Sequence, residues 1–335
     1  MPVKSISLPF EDGYRFLDIE IRICTDSQDL LSLFQDSYPR FRINISRAEH
    51  EFQVITKPNH LPCRVAIQSQ NHQYMVFKTT QGFVFSEKNL QEQSGTEKMV
   101  RFEKGQLYPI SHSETLRILD NNHSQGDQEH LFAYVQMALL RTLATLMPQH
   151  HLLHGAAVTW HNDGIILAGA SGQGKSSLSL ALVKHGFKFL SDDIAGLNLT
   201  TQTVEPFPRS LNLRQRGLPI LRHLLKVKEI THGPIDIEAL FPNSLCSTSP
   251  LRHLFLLKGI QSQPKIKPIP KRQAIWQALQ LSHTPVTHPA KMLWQLAPLF
   301  NQIHCYELIV GELDPTAVLI RHWLEENRYD STQTR

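Results

Sequence analysis

Long apolar runs are missing from this chain. None of its segments approaches the ~18 uninterrupted apolar residues of a membrane-spanning helix, so no membrane partner is expected. The opening residues, MPVKSISLPFEDGY, lack the apolar stretch of a secretory signal. Cysteine is scarce as well. Cys24, Cys63, Cys246 and Cys305 lie far apart and form no metal-type pairs, which argues against a disulfide framework or zinc module and for a reducing compartment. Nor is charge of one sign in excess: 34 Lys and Arg against 30 Asp and Glu leave a formal +4, with no polybasic run to hold nucleic acid. These absences point to a cytoplasmic protein that binds neither membrane nor nucleic acid. What is present is a globular composition, 41% hydrophobic and 19% charged, on a chain of 335 residues that suits two domains.

One stretch organises the chain. Within residues 164–197, Gly169, Ala170, Ser171, Gly172, Gln173, Gly174, Lys175 and Ser176 fit G-x-x-x-x-G-K-[ST], the loop that cradles phosphates. Ile165, Ile166, Leu167 and Ala168 before it form a short apolar run that reads as a buried strand. From Ser176 to His185, Leu178, Ala181, Leu182 and Val183 recur at helical spacing, and Gly186 suits the C′ stop. Strand, glycine loop and helix N-terminus in this order build an anion site, because loop N–H groups converge on the phosphates and the positive end of the helix dipole faces them. Lys175 is expected to pair with the β- and γ-phosphates of ATP and the Ser176 hydroxyl to ligate Mg²⁺. Ser177 belongs to the same nucleotide-binding stretch.

The residues that follow narrow the class. Phe187, Phe189 and Leu190 read as the next strand, which ends in Ser191-Asp192-Asp193. Asp192 follows Lys175 by only 17 positions, room for one helix and one short strand. The acidic pair is therefore expected beside the phosphates. One carboxylate there can hold Mg²⁺, and its neighbour can take a proton from an attacking hydroxyl.

Taken with His154-Gly155-Ala156 upstream and His185-Gly186 between, these motifs resemble the catalytic domain of HPr kinase/phosphorylase over about residues 150–215. That family shares its P-loop architecture with ATP-dependent phosphoenolpyruvate carboxykinase. The resemblance implies that Lys175 and Ser176 bind nucleotide and Mg²⁺, that Asp192 is the general base, and that Asp193 supports the metal. It also implies that His154, in the strand before the P-loop, stands close to the metal and reacting groups. Asp192, His154 and Lys175 are thus the expected catalytic set. The family's later glycine- and asparagine-rich segment, which contacts substrate, has no counterpart here, so HPr is not the expected acceptor.

Around this centre, residues 1–125 read as an α/β domain with antiparallel strands, suited to recognition or assembly. Tyr14 to Cys24 alternates like one half-buried strand, and Ser27 is placed to cap a helix carrying Leu30, Leu31, Leu33 and Phe34. Strand-like runs at 52–56, 63–67, 74–78, 82–85 and 99–102 are spaced like a meander. A polar segment at 121–127 marks the expected boundary, and the helix after it, about 128–147, is expected on the sheet of the second domain, residues 126–330. Within that domain Trp160 to Gly164 reads as a hairpin turn on its Asp-Gly pair. Arg209 and Arg214 follow the acidic pair closely enough to clamp a phosphate. Residues 265–272 are basic and proline-punctuated, which suits a surface strand and loop, with a substrate rim as the alternative.

The fold class expected is α/β, with a P-loop domain of HPr-kinase and phosphoenolpyruvate-carboxykinase type on a mixed sheet. The expected activity is ATP- and Mg²⁺-dependent transfer of the γ-phosphoryl group to a hydroxyl, that of a serine on a peptide or protein. A small-molecule alcohol is the alternative acceptor, and a non-catalytic ATP-binding regulator is the alternative from another class. Paired carboxylates favour chemistry, since a switch needs only one metal ligand. Homo-oligomer formation stays open.

Overall fold

The computed structural model describes residues 8–45, 49–56, 65–69, 72–79, 82–89, 98–103, 106–109, 127–211, 218–225, 234–284 and 289–330. They divide into two compact units, Met1–Met147 and Pro148–Arg335. The first unit carries strands β1 (Phe10–Phe16), β2 (Ile19–Thr25), β3 (Arg42–Ile43), β4 (His50–Ile55) and β5 (Val65–Ser69). Strands β6 (His72–Thr79), β7 (Gly82–Asn89), β8 (Lys98–Glu103) and β9 (Gln106–Pro109) complete its nine-stranded sheet, ordered β3-β1-β2-β4-β5-β6-β7-β8-β9. Every neighbouring pair is antiparallel except β2 and β4. The chain between those two strands includes α1 (Gln28–Ser37), where the Ser27 hydroxyl accepts the Leu30 N–H at 3.3 Å and Leu30, Leu31 and Phe34 are buried.

Two expectations for this unit need correction. The run from Tyr14 to Cys24 is the hairpin β1–β2 rather than one strand, with Phe16 opposite Ile19 across Leu17 and Asp18. Leu17 adopts φ 53°, a left-handed conformation that two-residue hairpins ordinarily assign to Gly or Asn, so the letters carry no turn signal. The helix expected on the second sheet, α2 (Asp127–Leu146), belongs instead to the first unit and lies along β5 and β6. Phe132 stands edge-on to Phe34 with ring centroids 5.1 Å apart, and Gln136 Nε2 donates to the Tyr38 hydroxyl at 3.2 Å. An apolar face such as Val135, Ala138, Leu139 and Leu143 says that a helix is buried, not against which sheet. The division thus falls one helix beyond residue 125.

The second unit carries β10 (His150–Trp160), β11 (Asp163–Ala168), β12 (Lys188–Ser191), β13 (Ile194–Asn198), β14 (Thr203–Glu205), β15 (Ser249–Ile260), β16 (Lys265–Pro268) and β17 (His304–Val310). Its helices are α3 (Lys175–Lys184), α4 (Leu218–Leu225), α5 (Ile237–Leu240), α6 (Lys271–Gln280), α7 (Pro289–Gln302) and α8 (Leu313–Asp330). The sheet is mixed: β11–β15 and β15–β17 are parallel, the other pairs antiparallel. Strands β10, β13, β14, β15 and β11 pair in a closed circuit, from which β12 and the β17–β16 ribbon extend. Side chains alternate between two cores, as the pleat requires. Ile165, Leu167, Phe255 and Leu257 pack with α3 and α8, whereas Ile166, Ala168, Leu254 and Leu256 pack with α6 and α7. The hairpin β10–β11 turns on His161 and Asn162, at φ 48° and 72°, with Asp163 already paired to Trp160. The expected Asp-Gly pair therefore starts the strand instead of making the turn.

Candidate active site

β11 ends at Ala168 and α3 begins at Lys175, so the loop 169–174 joins them directly. Gly174, at the helix N-cap, takes φ 87°, which an L side chain rarely adopts. Gly169 keeps the loop close to β15, since a Cβ there would displace the Gln173 amide and lie 3.1 Å from Leu257 Cβ. Gln173 Oε1 accepts the Ala170 N–H at 2.9 Å and braces the loop. No side chain caps α3, which leaves the N–H groups of its first turn for an anion. At its other end Phe187 N–H donates to Leu182 O at 3.1 Å and Gly186 N–H to Val183 O at 3.0 Å, the double closure that the expected glycine stop makes possible.

The charged groups gather around this loop. Lys175 is buried, its Nζ donating to Gly169 O at 2.8 Å and Ala170 O at 3.1 Å. The Ser176 hydroxyl donates to the backbone O of Asp192 at 3.4 Å. Asp192 and Asp193 occupy the break between β12 and β13, both of which pair with β10. Gly155 N–H holds this break by donating to Asp193 O at 3.0 Å. A Cβ on Gly155 would meet Leu167 O at 3.0 Å, so the glycine also lets β10 lie tightly on the P-loop strand.

Arg209 is delivered by the chain that follows β14, where Phe207 N–H donates to Leu190 O at 2.9 Å. Its Nη2 lies 2.9 Å from Asp193 Oδ2 and its Nε 3.6 Å from Asp192 Oδ1. The two carboxyls respond in opposite directions. Burial pushes Asp192 up, Arg209 opposes this and the Asp193 charge adds to it, with a net rise to about 6. For Asp193 burial also acts upward, but the Arg209 guanidinium above all, with Lys175, outweighs it and holds the carboxyl well below the usual carboxylate range. His154 Nδ1 lies 3.3 Å from Asp193 Oδ1, and burial lowers its pKa so that the ring is held neutral.

The structure thus brings Lys175, Ser176, Asp192, Asp193, His154 and Arg209 to one place. Ala170, Ser171 and Gly172 form the exposed rim of the loop, and Ser177 is half-buried in the first turn of α3. Arg214 lies outside the described residues. Arg209, expected as a phosphate clamp, stands on the acidic pair.

Sequence reasoning missed His283. Its ring packs edge-on against His154, centroids 5.4 Å apart, and burial lowers its pKa to about 4. The segment after α6 runs beside the start of β10 and delivers it: His154 N–H donates to Leu281 O and His283 N–H to Leu152 O, both at 2.8 Å. A lone histidine after a helix carries no signal of this strand-like docking.

The donor set fits Mg²⁺, a hard cation that takes carboxylate and hydroxyl oxygens. The ionised Asp193 carboxylate and the Ser176 hydroxyl supply such oxygens, and Asp192 Oδ1 stands buried in the same site without a hydrogen-bond partner. Among the described residues no His, Cys, Asp and Glu cluster is arranged as a ready-made metal cage.

Residues 145–300 match the family model "HPr Serine kinase C-terminal domain". This stretch is similar to that domain. HPr kinase/phosphorylase of Lactobacillus acidophilus is 33% identical over 109 residues, 32% of this chain and 30% of that protein. The Malacoplasma penetrans HPr kinase/phosphorylase is 31% identical over 143 residues, 40% of this chain and 45% of the relative. The chain therefore spans less than half the length of these relatives. A solved structure, the Hpr(Ser) kinase/phosphatase from Coxiella burnetii, aligns over 54% of this chain and 98% of its own at 16% identity, with a TM-score of 0.29 that is too low to carry weight. The matched stretch contains every site residue named above, whereas most of the first unit lies outside it.

Proposed function

We propose that the protein is an ATP- and Mg²⁺-dependent cytoplasmic kinase that transfers the γ-phosphoryl group to a serine hydroxyl of a peptide or protein. The observation that carries this reading is the meeting of a P-loop lysine with a carboxylate pair whose proton affinities are pushed apart. Such a divergence assigns an acid–base role to one group and a fixed charge to the other. Bound with ATP, Mg²⁺ supplies charge neutralisation and orientation of the phosphates. Asp193, held ionised, would be the carboxylate for that metal, together with the Ser176 hydroxyl.

Asp192, titrating close to the working pH, accepts the proton of the acceptor hydroxyl at Oδ1 as the new bond to phosphorus forms. Lys175 exchanges the carbonyls of Gly169 and Ala170 for phosphate oxygens. Arg209 fixes both carboxylates, and neutral His154 orients Asp193 without adding a competing charge. The first unit contributes acceptor recognition or assembly, since none of these groups lies in it.

Equilibrium binding of ATP tests the foundation of this reading. Lys175→Ala should abolish detectable binding while the circular dichroism spectrum stays unchanged. A variant that binds ATP as the wild type does would reduce the loop to a turn.

A further inference from the structure

The second unit has a surface whose composition differs from the rest of the chain. From Ala239 to Tyr306 there is no Asp or Glu, but there are seven Lys and Arg. With 34 basic and 30 acidic residues overall, everything outside this segment is net negative. The large apolar side chains exposed among the described residues fall in the same segment: Ile260 at 64%, Trp276 at 56% and Trp294 at 80%. Both tryptophans stand on the solvent side of α6 and α7, whose other side buries Ala274, Ala278, Leu279, Leu296, Leu299 and Phe300. On α6 the exposed Arg272 precedes Trp276 by four residues, and on α7 the exposed Lys291 precedes Trp294 by three. These spacings place cation and indole together on one helix face.

Lys265 and Lys267 on the edge strand β16 have an ordinary explanation, since charges and prolines protect a sheet edge from pairing. That explanation does not reach two exposed tryptophans on helices. Trp and Arg are the side chains that concentrate binding energy at protein interfaces. Arg252 and Lys258 meet Asp163 and Glu307, but among the described residues Arg272 and Lys291 form no ion pair, and such cations select an acidic counterpart. A second copy of the same face would bring like charges together, which disfavours self-pairing. The surface also leads to the chemistry. α6 has ten residues, about 15 Å of helix, and the segment that leaves it docks on β10 and sets His283 against His154.

We propose that the outer face of α6 and α7 docks an acidic polypeptide, the phosphoryl acceptor or the protein that carries it. This rests on the kinase reading and names its partner's chemistry. Trp276 and Trp294 provide the apolar contact, and Arg272 and Lys291 the charge.

The test uses the full-length protein and a fluorescein-labelled peptide rich in Glu, Asp and Phe. A Lys-substituted counterpart, a single-stranded oligonucleotide and phosphatidylserine vesicles serve as the other arms. Saturable binding of the acidic peptide is expected, weakening as salt rises. The double variants W276A/W294A and R272E/K291E should each weaken it by about tenfold or more, with Mg-ATP binding unchanged. No saturable binding, or equal binding by both variants, overturns the proposal. So does variant-sensitive binding of the oligonucleotide or vesicles instead of the peptide, or a change of oligomeric state in sedimentation caused by W276A/W294A. Failure of wild-type protein to bind Mg-ATP sinks the kinase reading separately, and the peptide arm then still judges the surface.

Discussion

Replacing Arg209 with alanine leaves two carboxylates side by side without their cation. The guanidinium lies 2.9 Å from Asp193 and 3.6 Å from Asp192, with side-chain exposures of 15% for Arg209 and 3% for Asp192. Removing one partner from such a buried ionic group costs about 3–5 kcal/mol, because the remaining charges stay uncompensated. The neutral rings of His154 and His283 cannot take over. Two adjacent carboxylates relieve their repulsion by protonating one, so Asp192 should rise above its wild-type value of about 6 and bind a proton at neutral pH. This relaxation puts the loss near the lower bound, about 3 kcal/mol. The sign with pH follows. A carboxyl whose folded pKa lies above its unfolded value favours the fold as pH falls, so the variant's deficit is largest above neutrality and shrinks through the raised pKa. Mg²⁺ should stabilise the variant more than the wild type, since the metal replaces the lost charge. Urea unfolding followed by tryptophan fluorescence reads this cleanly, because Trp160, Trp276, Trp294 and Trp323 all lie in the second unit. A loss below about 1 kcal/mol, the range of an exposed pair, would refute the reasoning. So would a deficit that does not shrink between about pH 7.5 and pH 5.5.

Asp192→Asn keeps the size of the side chain and removes the base; ATP should still bind while transfer falls ~10²–10⁴-fold, and undiminished transfer would reassign the base. Asp193→Asn should weaken the Mg²⁺ dependence of ATP binding, read by titrating the metal at fixed nucleotide. Burial lowers His151 to about 4 and His253 to about 3, so each ring stays neutral in the fold while the unfolded chain protonates it below about 6.5. Stability of the second unit should therefore be full above that pH and fall toward pH 4 by up to about 1.4 kcal/mol per pH unit per histidine. His151→Leu should flatten the fall by one proton's share, and an unchanged slope would contradict the assignment. A chain starting at Pro148 should bind Mg-ATP yet lose most transfer to its acceptor; transfer at the full-length rate would end the recognition role of the first unit.

The parts of the site readable in sequence are those where chemistry is local. Gly169 to Ser176, the stop at Gly186 and the acidic pair sit within one strand–helix–strand passage, where spacing fixes geometry. Arg209 was readable as a charge near the phosphates, but its partners are set by Phe207 docking on Leu190, a contact no spacing encodes. His283 depends on a segment laid along β10, and the placement of α2 on which of two sheets offers the better complement. The hairpin turns went astray for a related reason. Leu17 takes positive φ against its preference because the surrounding strand pairing overrides it, whereas His161 and Asn162 tolerate that conformation but stand one step before the stronger Asp-Gly signal.

The central claim is phosphoryl transfer with Asp192 as base. Its most direct test is to incubate the protein with γ-labelled ATP, Mg²⁺ and a lysate of the source cells, and to separate polypeptides from small molecules. The account expects acid-stable, alkali-labile label on a polypeptide serine with wild-type protein and none above background with Asp192→Asn, although that variant binds ATP. Label confined to a small molecule would contradict the acceptor assigned here, and equal labelling by wild type and Asp192→Asn in every fraction would contradict the kinase itself.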